Sequence, residues 1–171
     1  MKLTHELTDE SLQDMVHISQ GVFYPLSGFM TSPDYIGVVD NMKLRSGQIW
    51  SIPISLDVDE STYSKAKQSD KVYLTYKAKE VGFIEVDDCF RANAGKDIQK
   101  IYGTADTKHP GVAKELSRYD YRIGGKTTVT DGAILKGALN PEKTRSIFAR
   151  NGWKTVAAFH TRNPVHRAHE H

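Results

Sequence analysis

The sequence predicts an α+β fold: a β-rich region of short strands and small helices, followed by the opening of an α/β unit. Two observations carry this. Residues 71–76 (KVYLTY) and 81–86 (VGFIEV) alternate apolar and polar positions on either side of a short turn, the pattern of a half-buried antiparallel hairpin. From Asn140 onward the order changes to helix, buried apolar run, tight turn and new helix start, the order in which α/β units begin.

Along the chain, residues 9–18 place apolar side chains at 12, 15, 16 and 18 behind capping-type residues and predict a short helix. Residues 21–30 (GVFYPLSGFM) gather aromatics around one proline and two glycines, which predicts a packed, irregular loop. Residues 33–42 predict a second short helix. The β-branched run 50–58 (WSIPISLDV) predicts a strand, with Pro53 marking an edge or bulge. Residues 61–68 read as a polar turn or a single helical turn. The stretch 88–102 reads as a helix broken near Gly95, and 104–116 as a sharp break at His109-Pro110-Gly111 followed by a helical turn. Residues 121–132 carry paired glycines inside a Thr/Val run and predict a further hairpin. Pro141 sits at the first turn of a helix reaching about Arg150, which Gly152 closes. The β-branched, apolar run 155–159 predicts a buried strand. The change of pattern near 135–150 suggests two domains, 1–150 and 151–171.

Composition narrows the class. The net charge is +2 with 26% charged residues, which is a globular balance and lacks the basic excess of a dedicated nucleic-acid binder. No apolar stretch approaches the roughly 20 residues that span a bilayer. The N-terminus lacks the apolar core of a secretory signal. Cys89 is the single cysteine, so neither an intrachain disulfide nor a cysteine-based zinc site is available; a reducing cytoplasm fits, with Cys89 as a small residue in or near the core.

The chemistry concentrates at the end of the chain. Arg162 offers a planar fork suited to phosphate, sulfate or carboxylate. Asn163-Pro164 makes a rigid turn that turns backbone N–H groups toward a ligand. His166 and His169 stand three apart, so on a helix they share a face and both can donate to phosphate oxygens. On spacing alone three readings of this pair stay open: phosphate contact, a solvated helix face, and a metal cluster. The H-E-x-x-H order of zinc helices is absent. Chemistry that brings two anions together needs positioned positive charge more than it needs a base.

Residues 152–170 (GWKTVAAFHTRNPVHRAHE) resemble the signature segment of ATP sulfurylases, which carry a Q-x-R-N-P-x-H-x-x-H pattern. Residues 21–30, 52–58 (IPISLDV) and 102–112 (YGTADTKHPGV) resemble segments of the same family in the same order, so the resemblance spans nearly the whole chain. It implies a PUA-like N-terminal domain followed by the truncated start of a Rossmann-like nucleotidyltransferase domain. It also implies the family's reaction, in which ATP and sulfate give adenosine 5′-phosphosulfate and pyrophosphate, with Mg²⁺ accompanying ATP. Carried over by position, His160, Thr161, Arg162, Asn163, His166 and His169 line the substrate and nucleotide site. Arg162 would bind sulfate, Asn163 would contact the nucleotide, and His166 and His169 would hold ATP phosphates; Arg162, His166 and His169 form the catalytic set. No metal ligand is implied among protein side chains, and the intact enzyme is expected to be a homo-oligomer. The segment 102–112 reads as a domain-packing loop.

Two departures follow. His160 stands where the family has Gln, replacing a fixed amide by a group that titrates near neutrality. The family's catalytic domain also continues well past this corner, so the chain alone is expected to be inactive. Two other functions compete. One is a stand-alone PUA-like module binding RNA, against which the near-neutral charge and the lack of an evident basic–aromatic patch weigh. The other is a regulatory domain docking on a full-length sulfurylase through residues 21–30 and 102–112.

Overall fold

The computed structural model describes residues 2–132, 140–158, 160, 162 and 167. The chain separates into two compact units, Met1–Ala138 and Leu139–His171, so the helix that begins at Pro141 falls in the second unit. The α+β class holds.

In chain order the first unit runs β1 (Thr4–Glu6), α1 (Asp9–Ser19), β2 (Gly28–Phe29), α2 (Ser32–Asn41), β3 (Leu56–Val58), α3 (Glu60–Ala66), β4 (Lys71–Tyr76), β5 (Lys79–Glu85), β6 (Asp88–Arg91), α4 (Ala94–Tyr102), α5 (Pro110–Ser117) and β7 (Tyr121–Val129). Helix α1 starts where the sequence places it, and a reciprocal cap explains why. The Ser11 amide donates to Thr8 Oγ1 (3.1 Å) and the Thr8 amide donates to Ser11 Oγ (2.8 Å), satisfying two donors that the first turn would otherwise leave open. Helix α3 is longer than the single turn expected. Asp59 caps it, accepting from the Thr62 amide (3.0 Å) and the Thr62 hydroxyl (2.6 Å).

The predicted β4–β5 hairpin forms, with Val72 opposite Ile84 and Tyr73 opposite Phe83. Its loop is only Lys77-Ala78, both at positive φ (50° and 61°), a tight two-residue turn built without the usual Asn-Gly.

Strand β7 is the hub of the sheet. Its C-terminal part pairs with β5 (Ile84 opposite Thr127) and its middle with β2 (Phe29 opposite Gly125). Its N-terminal part pairs with both β3 (Leu56 opposite Ile123) and β6 (Cys89 opposite Ile123). One strand with four partners along its length, β2, β3, β5 and β6, curls the sheet around the main core. Leu7, Met15, Ile18, Phe29, Leu56, Val58, Val72, Leu74, Val81, Ile84 and Ile123 fill that core. Each such side chain contributes about 1.5–3 kcal/mol by leaving water. Half-buried Cys89 packs against it, as the sequence suggests.

Four expectations are corrected. Residues 121–132 do not form a hairpin: Gly124-Gly125 lies inside one continuous strand, where the missing side chains admit neighbouring backbone, rather than at a turn. Residues 88–91 are strand, not helix, because their backbone completes the ladder along β7 before α4 begins at Ala94. Only 56–58 of the run 50–58 enters the sheet. Pro53 has no N–H for a ladder, and the Trp50 indole instead donates to the Ile52 carbonyl (2.9 Å). The run 155–159 is also corrected: residues 155–158 are irregular and exposed, and Phe159 lies outside the described residues. A strand exists only with a hydrogen-bonded neighbour, and none pairs with 155–158 among the described residues.

A charged cluster lies beneath the C-terminal end of α5. Arg122 on β7 is fully buried, donating from Nη2 to Glu115 Oε1 (2.9 Å) and from Nη1 to the Tyr119 carbonyl. Glu115 Oε2 accepts from Arg118 Nη1 (3.1 Å), and Arg118 Nε reaches Asp57 Oδ1 (2.9 Å). This chain of alternating charge ties α5, β3 and β7 together.

The edge strand β1, parallel to β4, carries His5. Burial pulls the His5 imidazole below its ordinary 6.5, outweighing the opposing pull of Asp57, Asp59 and Glu6. The unfolded chain therefore takes up this proton more readily than the folded one. The stability present above pH 6.5 is lost as pH falls through the lowered folded value. Calorimetry between pH 7.5 and 5 should show Tm falling, and His5→Gln should flatten that fall; an unchanged slope in the variant would remove His5 as its cause.

Candidate functional site

The second unit opens with α6 (Pro141–Arg150). Asn140 caps it by accepting from the Lys143 amide at Oδ1 (2.9 Å), and Pro141 occupies the first turn, where its missing N–H costs nothing. Gly152, at φ 65°, ends the helix as the sequence suggests, and its amide donates to the Ala149 carbonyl (3.1 Å). Trp153 turns back so that its ring lies 6.1 Å from Phe148. No residue of α6 is fully buried, and residues 151–158 are all exposed, with Trp153 at 56% and Val156 at 47%.

Of the sequence-derived site residues, the structure describes His160 and Arg162, and both are exposed. Thr161, Asn163, His166 and His169 lie outside the described residues. Neither His160 nor Arg162 forms a hydrogen bond or ion pair among the described residues. An arginine guanidinium carries five N–H donors suited to an oxyanion, and the imidazole adds a donor two positions earlier. This donor set suits phosphate or sulfate oxygens. It does not suit Mg²⁺, which takes oxygen ligands.

The upstream motifs take structural roles within the first unit. In the loop 102–112 Asp106 is the organiser. Its Oδ1 accepts from the Lys108 amide (2.9 Å), its carbonyl accepts from the His109 amide (2.9 Å), and its own amide donates to Thr104 Oγ1 (3.1 Å). The Tyr102 and His109 rings lie 5.2 Å apart, and a Cβ on Gly111 would stand 2.7 Å from the Tyr102 ring. Residues 21–30 end in β2, and Phe23 packs edge-on against Trp50 (6.1 Å) and His17 (5.2 Å).

Sequence reasoning missed a cavity of about 540 Å³ between α1 and α5, lined by Asp14, Asp57, Lys114 and Arg118 among others. Burial raises the Asp14 carboxyl, with Glu10 adding to the rise. Most of the lining charges are mutually satisfied, Lys114 by Glu10 and Arg118 by Asp57 and Glu115. Nothing in the linear sequence brings residues 14, 57 and 118 together; only the curl of the sheet does. Sequence reasoning also found no basic–aromatic surface, yet Lys2 and Lys71 stand over the Tyr73 and Phe83 rings at 3.6 and 3.7 Å. Lys2 is at the same time bonded to Glu80 (2.6 Å), so its charge is locally balanced.

Comparison with known proteins bears on both units. The PUA-like domain family matches residues 2–132, and the ATP-sulfurylase family matches residues 136–171. A sulfate adenylyltransferase of Chloroflexus aurantiacus is 38% identical over 169 residues, covering 97% of this chain and 44% of that protein. One from Deinococcus deserti is 36% identical, covering 96% and 43%. A protein of Sorangium cellulosum named as a probable bifunctional SAT/APS kinase is 39% identical, covering 96% and 29%. The chain thus spans less than half the length of these relatives. Among solved structures, a hexameric APS kinase from Thiobacillus denitrificans shares the fold, with a TM-score of 0.64 at 19% identity, covering 99% of this chain and 30% of that one. By its residues 2–132 the chain belongs to the PUA-like domain family, and by its residues 136–171 that domain is joined to the start of an ATP-sulfurylase segment.

Proposed function

We propose that this chain is the N-terminal portion of a sulfate adenylyltransferase and carries the oxyanion-binding corner of its active site. The observation that supports this best is the pair His160 and Arg162. Both are exposed, in the segment that matches ATP sulfurylase.

In the intact enzyme the corner binds sulfate through Arg162 and ATP through Asn163, His166 and His169, with Thr161 completing the turn. The surrounding domain is Rossmann-like, and the enzyme is a cytoplasmic homo-oligomer. Mg²⁺ enters with ATP and neutralises its phosphates; protein carboxylates do not hold it. The work of these residues is positional. Arg162 fixes the oxyanion by paired N–H donors, and the histidines screen the phosphate charge that would otherwise repel it.

The run 155–158 lacks ladder partners among the described residues, and the relatives are more than twice as long, so we infer that the chain alone binds anions weakly and does not turn over. Purified chain given ATP, sulfate and Mg²⁺ should release no pyrophosphate above a blank. In an NMR titration sulfate should shift the Arg162 side-chain signals, and Arg162→Ala should lose the response at the neighbouring amides. Turnover by the chain alone would overturn the inactivity, and no sulfate response at Arg162 would overturn the corner.

A further inference from the structure

We propose that the cleft between α1 and α5 binds a small organic cation, an aliphatic primary amine. The cleft lies wholly in the first unit and shares no residue with the corner proposed above. Two cavities form it, one of about 540 Å³ and one of about 200 Å³. Glu10, Asp14, Ser55, Lys114 and Arg118 line both, so the two have a common wall. The larger falls in the range of about 300–1,000 Å³ that small-ligand sites occupy.

One charged group on that common wall lacks a counter-ion. Asp9, Glu10, Asp14 and Asp57 line the larger cavity against only two cations, Lys114 and Arg118. Lys114 is bonded to Glu10, and Arg118 to Asp57 (2.9 Å) and Glu115 (3.1 Å). Asp9 accepts from the Tyr76 hydroxyl (2.7 Å), and Asp57 also accepts from the Tyr119 amide (3.2 Å). Asp14 is half-buried and has no hydrogen bond or ion pair among the described residues. Burial, with Glu10 adding, raises its carboxyl against the opposing pull of Arg118, His17 and Lys114. A carboxylate partly stripped of water and left without a donor is stabilised by a cation that brings its own N–H groups. Ser55, only 2% exposed, stands on the same wall. Its hydroxyl meets Arg118 Nη2 at 3.5 Å, the outer limit of a hydrogen bond, and has a second lone pair to offer.

The rest of the lining selects the kind of cation. Among the described residues no group of three or more His, Cys, Asp or Glu side chains could hold a metal ion. The smaller cavity is walled by Ile52, Pro53, Ile54, Ile101 and Tyr102, which offer a hydrated ion nothing. They do suit an ammonium that carries an apolar stem. The head donates to Asp14 and Ser55, and the stem leaves water against the isoleucines. Residues 52–54 are placed to form this wall because strand β3 begins only at Leu56.

The test is an NMR titration of the 171-residue chain with n-butylammonium chloride, with methylammonium chloride and sodium chloride run at matched concentrations. Butylammonium should shift amides within residues 8–14, 52–57 and 111–119 in a saturable way that sodium does not reproduce. It should bind at least about fourfold tighter than methylammonium, the worth of one buried methylene. Asp14→Asn should weaken butylammonium about five- to tenfold, the worth of a partly buried charge-assisted hydrogen bond. That variant removes no contact the fold uses, so its amide spectrum away from the cleft should match the native one. Equal shifts with sodium chloride, no preference for the longer amine, or undiminished affinity in Asp14→Asn would each overturn the proposal.

Discussion

Replacing Glu115 by alanine should destabilise the first unit by about 3–5 kcal/mol, because it leaves the buried Arg122 guanidinium without its carboxylate. Arg122 is fully buried, and its Nη2 donates to Glu115 at 2.9 Å. Its Nε has no partner among the described residues, so the Glu115 contact and the Tyr119 and Tyr121 carbonyls carry its whole compensation. Burial and the like charge of Arg118 both push Arg122 below its ordinary value, against the opposing pull of Glu115 and Asp57. Arg118 would lose less, since it keeps Asp57 and the Ser55 carbonyl.

The decisive measurement is a double-mutant cycle by urea denaturation. Glu115→Ala alone should be severe. Adding Arg122→Met should recover much of the loss, because an apolar chain of similar length needs no counter-ion. If the double variant is as unstable as the sum of the two single changes, the pair is not coupled and this account of the cluster fails.

That cluster also shows where the sequence stops being legible. Residues 115, 118 and 122 are spaced like a solvated helix face, but α5 ends at Ser117 and the chain turns into β7. The turn carries Arg122 inward, and no local pattern distinguishes it from a surface arginine. Elements fixed by local chemistry were readable: α1 through its Thr8–Ser11 cap, the β4–β5 hairpin through strict alternation, and α6 through Asn140-Pro141. Elements fixed by distant partners were not. Residues 88–91 are strand only because β7 offers a ladder, and 155–158 are not strand because nothing among the described residues does. At the site the order is reversed. The motif announced the residue types around Arg162 at once, since anion chemistry dictates them. The arrangement of those residues depends on tertiary context that no spacing encodes.

The second large effect lies at the crossing point of the sheet. Gly125→Ala should cost about 3 kcal/mol or more, enough to unfold a marginal domain, because two penalties coincide there. The residue sits at φ 149°, where side chains are strained. A Cβ at that position would also stand 1.9 Å from the Glu85 carbonyl oxygen, a backbone atom held by the sheet. Relief would mean separating β5 from β7, the pairing on which the core closes.

Three other glycines separate the two penalties. Gly28→Ala meets the Gly125 carbonyl oxygen at 1.8 Å without a positive φ, so it tests the clash alone. Gly47→Ala has φ 86° and open space, so it should lose only about 1 kcal/mol of backbone preference. Gly132→Ala has neither feature and should lie within about 0.5 kcal/mol of the native chain. Urea midpoints should therefore rank Gly132, Gly47, then Gly28 and Gly125 in increasing damage. A Gly125→Ala protein within about 1 kcal/mol of native would mean that β7 yields where its contacts say it cannot, and that the close crossing is not what curls the sheet.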